Sequence, residues 1–139
     1  MNLLHLHPML VHFPIALALV ALVFDLAAYY FKHEWLNKAA VTLTLFAALG
    51  ACAAIFSGVF LTKPVAGLAA TLKDQHVMYA MVATVFLALS TLVGLISLLK
   101  YLHATKLRYL FTVCLLVAAI FISLTGMVGG SIVYDVWLF

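Results

Sequence analysis

Residues 9–31 read MLVHFPIALALVALVFDLAAYYF. A helix of that length, rising 1.5 Å per residue, crosses the roughly 30 Å hydrocarbon layer of a bilayer, and its single charged side chain is Asp25. The rest of the chain offers no polar shell that would let such a segment serve as the core of a soluble domain. Of 139 residues, 68% are hydrophobic and 8% charged, and mean hydropathy is +1.28, whereas soluble domains are about half apolar and a quarter charged. A water-soluble fold is excluded.

Three more runs of the same kind follow, at about 39–62, 76–99 and 109–134. Four spans use up most of the chain, so the expectation is one all-α domain over residues 1–139, an integral membrane four-helix bundle. The links are short, at 32–38, 63–75 and 100–108. Only the middle one has room for an interfacial helix, and Pro64 and Gly67 argue against a continuous one. A secretory signal needs a basic start, and Met1 to Leu6 contains no Lys or Arg, so the first apolar segment is expected to stay in the mature protein.

Positive charge sets the orientation. Lys32, Lys38, Lys100, Lys106 and Arg108 fall on one side, Lys63 and Lys73 on the other. By the positive-inside rule the first and third links face the cytoplasm, so both termini and the middle link face outward. Tyr29, Tyr30, Trp35, Tyr101 and Tyr109 gather at the inner interface, and Tyr134 and Trp137 mark the outer one. The net charge of +3 is spread over these links and forms no continuous basic face for nucleic acid. Cys52 and Cys114 lie inside apolar runs, far from CxxC spacing, and read as packing residues. Gly50, Ala54 and Gly58 on the second span, and Ala119, Ser123, Gly126 and Gly130 on the fourth, form small-residue stripes that let helices approach closely.

The topology brings the start of span one, the start of span three and the end of span four to one membrane face. His5, His7, His12, His76, Ser131, Tyr134 and Asp135 thereby converge. His12 sits deepest, inside MLVHFPIAL, where a polar side chain is expected to face the bundle interior. His7 precedes Pro8, which disfavours helix at His7, and points about 140° away from His12, so it is expected to cap the bundle mouth. Asp74 is a candidate N-cap for the helix that carries His76. Pro14 frees the carbonyl of Leu10, which either makes room for a ligand or is a tolerated kink. Asp25 needs a partner, with Lys32, a hydroxyl such as Ser97, or a proton path as the options. His33 and His103 read as ordinary solvated residues.

Neutral imidazole ligates iron, copper and zinc, and histidines on facing helices are a usual way to build a haem or metal site in a bundle. One arrangement uses His12 and His76 as the two axial ligands of haem b, with His7 assisting. Another is a compact metal site of His7, His12 and His76, with Asp135 as an oxygen ligand; a quinone is a further option. Against these stands a bundle with no cofactor, its histidines lying at interfaces or bonded to backbone carbonyls. No GxSxG, HExxH, phosphate loop or paired carboxylates appear, so an enzyme acting alone is not expected. The halves show no repeat that would suggest a transporter.

The string His7, Pro8, Met9, Leu10, Val11, His12, Phe13, Pro14, then Asp25, His76, Thr125, Gly126, and the closing run from Gly129 to Tyr134, resemble a bacterial membrane-protein family, domain of unknown function 2231. The resemblance covers nearly the whole chain and implies four spans in the bacterial inner (plasma) membrane. It also implies electron transfer, because some relatives look like partners of Rieske-type or other redox modules. Ser131 stands where relatives often carry an acid, so no role of that acid transfers here. The resulting expectation is a small redox component holding haem b or a metal near the outer face. The alternative is a cofactor-free accessory subunit that packs on larger membrane chains, or on copies of itself, through its small-residue stripes.

Overall fold

The structure, a computed structural model, describes residues 6–61, 67–99 and 105–136. It contains four long helices, α1 (Leu6–Phe31), α2 (Glu34–Leu61), α3 (Leu68–Leu99) and α4 (Thr105–Ser131), the last running on into a π-helical turn at Ile132–Val136. Each is long and apolar enough to cross a membrane. The main packing is α1 on α2 and α3 on α4, and lighter contacts of α2 with α3 and α1 with α4 close the ring. The protein is an all-α, multi-pass membrane protein in contact with the lipid bilayer.

The bundle sorts residues by size more than by polarity. Its core is built largely of Ala18, Ala21, Ala28, Ala40, Ala47, Ala51, Ala83 and Ala118, while Val23, Leu26, Phe46, Leu49, Phe56 and Ile120 are exposed. Lipid is as apolar as leucine, so no hydrophobic force draws large side chains inward, and close helix approach selects small ones. The expected α2 stripe works in this way inside the chain. A Cβ on Gly50 would lie 3.2 Å from Phe13 and 3.3 Å from the Pro14 ring. Gly50 and Gly58 thus meet α1, Gly58 through the ring of His7. Pro14 is buried in the same contact.

The helices reach further than the expected spans. α2 begins at Glu34, and α3 begins at Leu68, eight residues before His76. Gly67, at φ 64°, turns the chain, and its carbonyl accepts the amides of Ala70 and Thr71. Glycine alone adopts that backbone without cost, and the Leu, Ala, Lys and Gln that follow are good helix formers. Asp74 is thus inside α3 and caps nothing. α1 likewise begins at Leu6, because a helix's first amides have no carbonyl to bond and Pro8 among them removes nothing. His5, Lys63, Pro64, Lys100, Tyr101, His103 and Trp137, together with the side chain of Asp135, lie outside the described residues.

Candidate functional site

On α1 the buried positions are Pro14, Ala18, Ala21, Asp25 and Ala28, a face that repeats about every seven residues. One heptad before Pro14 stands His7. On α3 the buried Ala69, Ala83 and Ser90 stand in the same heptad register, and His76 occupies the position between Ala69 and Ala83. Both imidazoles therefore face the bundle, and their ring centroids lie 6.3 Å apart with planes at 76°. His12, five residues from His7, falls about 140° round the helix and is exposed. The interior position expected for His12 belongs instead to His7, which lines the mouth.

Hydrogen bonds hold both rings. Ser57 donates to the carbonyl of Ala54 at 2.8 Å, so its oxygen is free to accept from His7 Nδ1–H at 2.8 Å. His76 Nδ1 lies 3.0 Å from the carbonyl of Thr125, which can only accept, so this nitrogen also carries its hydrogen. A neutral ring with Nδ1–H engaged presents an unprotonated Nε2, the usual arrangement around a metal-ligating histidine. Two Nε2 atoms sharing one metal at about 2.0–2.1 Å place their ring centres about 6 Å apart, close to the spacing seen here.

Glycines seat the rings. A Cβ on Gly58 would approach His7 Cε1 to 3.0 Å, and one on Gly129 would approach His76 Cε1 to 3.1 Å. Ser57, Thr125 and Gly129 were not singled out as site residues from sequence; they lie about 50 residues from the imidazoles they meet, on other helices, and only the packing of the helices brings them there. Among the described residues no group of three or more His, Cys, Asp or Glu gathers, and His12 stands on a different face of α1 from His7. Tyr134 is exposed.

A second polar cluster lies toward the other end of α1. Asp25 is 0% exposed and takes neither Lys32 nor Ser97 as partner. Thr112 on α4 donates to its Oδ2 at 2.6 Å. Tyr29 OH, 3.0 Å from the same threonine oxygen, then serves as donor to Thr112. The guanidinium carbon of Arg108 lies over the Tyr29 ring, 4.1 Å from its centroid. Thr112→Val removes the one hydrogen bond that the buried carboxyl makes among the described residues and is expected to cost about 1–3 kcal/mol. Thermal unfolding in detergent measures it, and an unchanged midpoint would show that Asp25 does not need the hydroxyl.

No curated protein and no solved structure matches the chain. A family model described as "Predicted membrane protein (DUF2231)" matches residues 4–138. With four membrane-spanning helices and that match over nearly its full length, the chain belongs to the DUF2231 family of predicted membrane proteins.

Proposed function

We propose that this protein is a small redox component of the bacterial inner membrane, with a haem b or a single iron or copper ion held between His7 and His76 for electron transfer. The observation that carries the reading is the pair of imidazoles from distant parts of the chain, each with Nδ1 engaged in a hydrogen bond, which in the neutral ring leaves Nε2 as the ligating nitrogen. His7 replaces His12 as the ligand from α1, and Ser57 and the Thr125 carbonyl orient the rings. The centre supplies the electron-transfer chemistry when bound, and the chain's part is to hold both imidazoles neutral and aimed. The histidine end faces outward, where a partner chain carrying a soluble redox domain would exchange electrons with it. The test is a reduced-minus-oxidised spectrum and metal analysis of the purified protein. b-type bands or stoichiometric metal support the proposal. A colourless, metal-free protein from metal-replete, haem-replete cells overturns it in favour of a cofactor-free accessory subunit.

Proton competition gives a further check. His7 lies two residues before the span that begins at Met9. Burial first, then repulsion from His76, and more weakly from Lys73, hold its pKa below the ordinary histidine value, although a backbone bond to Ala54 pulls the other way. The ring therefore stays neutral to lower pH than a free imidazole, whose pKa is about 6.5. Metal occupancy is expected to persist below that pH and to fall only as pH drops through the lowered value. Equilibrium dialysis across pH measures this, and loss already under way above pH 7 would contradict it.

A further inference from the structure

Between the end of α1 and the starts of α2 and α4, about 25 residues along α1 from the histidine pair, lies a cleft of about 310 Å³ lined by Tyr29, Lys32, His33, Glu34, Asn37 and Arg108. The histidine pair does not use it, and of the residues that line it only Tyr29 and Arg108 also belong to the Asp25 cluster. We infer that this cleft binds a phosphate-bearing anion at the membrane interface.

The donor set fits an oxyanion. Arg108 has Nε and Nη2 buried with no hydrogen-bond partner among the described residues. These two nitrogens share one edge of the guanidinium, the edge that grips a phosphate or carboxylate with two parallel bonds. Asp25 is near enough for its charge to act on Arg108, but among the described residues it makes no hydrogen bond to either nitrogen: its Oδ2 is held by Thr112 and its Oδ1 is itself without a hydrogen-bond partner, and the one ion pair joins Lys38 to Glu34. That pair, at 4.0 Å, also draws Glu34, the one acid on the cleft wall, toward a cation of its own. Because both guanidinium nitrogens are shielded, an entering oxyanion engages them by drawing Arg108 outward along the face of Tyr29.

Lys32 supplies the second cation from an unusual backbone. It follows the last residue of α1 at φ 56°, its amide bonded to the carbonyl of Ala28. Glycine normally fills this helix-ending position because a Cβ is unfavourable there. A lysine here bears backbone strain, and it places a charge on the cleft wall. Asn37 adds a side-chain amide to the lining, beside the amino terminus of α2, whose dipole favours an anion. Exposed Tyr30, Phe31, Trp35 and Tyr109 place this end at headgroup level. Basic pockets between membrane helices at that level hold anionic headgroups, and a free phosphate presents the same oxygens.

The test uses the full chain purified in detergent. Native mass spectrometry compares phosphatidylglycerol with phosphatidylcholine, and thermal shift is read with inorganic phosphate against chloride at equal ionic strength. Preference for phosphatidylglycerol without a phosphate shift assigns the site to a lipid headgroup. A phosphate shift without lipid preference assigns it to the free anion, and both effects together establish the shared chemistry. Lys32→Gly relieves the strained backbone, so its thermal midpoint should hold or rise while anion binding weakens about fivefold. Arg108→Gln should weaken binding about tenfold or more, and Lys106→Gln, outside the cleft, should leave it unchanged. Equal binding of both lipids with no phosphate shift overturns the inference. So does a folded Lys32→Gly protein that binds as tightly as the native chain.

Discussion

His7→Ala and His76→Ala proteins are each expected to lose the bound centre, whereas His12→Ala should retain it. Losing an orienting group behind a metal ligand typically costs 10–100-fold in affinity, so losing one of two ligands should cost more than about 100-fold. Ser57→Ala, which removes the acceptor of His7 Nδ1–H but leaves the ring, should fall in that smaller range. The order His7 and His76 above Ser57 above His12 separates ligation from general destabilisation, because the two ligands lie on different helices and share only the mouth they face. Haem content or metal per folded protein, with circular dichroism to confirm the helices, reads the series. Retention of the centre in His7→Ala together with its loss in His12→Ala would return the ligand role to the other face of α1.

The four spans were legible because apolar length alone decides them, and every helix overlaps the run expected for it. Their ends were less so, since Leu68 to Gln75 is polar enough to pass for a link yet is made of helix formers behind a turning glycine. The convergence of His7 and His76 at one end followed from alternating span direction. The wrong histidine was expected to face inward because depth in the apolar run was weighed above helical phase. Ala18, Ala21, Asp25 and Ala28 already mark the inner face of α1, and counting back by sevens from Ala28 through Ala21 and Pro14 reaches His7. In a membrane the small residues, not the large apolar ones, mark that face. The partner of Asp25 was beyond reach of one sequence, because Thr112 is one of several hydroxyls on the other helices and only the α1–α4 register selects it.

Gly94→Ala is expected to be among the most damaging single-methyl changes, and Gly130→Ala close to harmless. A Cβ at Gly94 would lie 2.9 Å from both Phe111 Cδ2 and Val41 Cγ2, and those two side chains are themselves 1% and 2% exposed. Neither can swing into open space, so α3 must move away from α2 and α4 together. Overpacking of this kind costs about 1–3 kcal/mol, and two contacts at once put Gly94 near the upper end. Alanine regains up to about 1 kcal/mol of helix propensity. The net loss is then about 2 kcal/mol, roughly a 30-fold shift in the folding equilibrium. At Gly130 no atom of another element among the described residues lies within 4 Å of the added carbon, so only the propensity gain remains. Titration with a denaturing detergent, followed by circular dichroism, compares the two. Gly94 is some 18 residues along α3 from His76, so ligand bound per folded molecule should not change even as stability falls. A Gly94→Ala protein as stable as the native chain would mean that the three helices do not meet as closely there as the described packing requires.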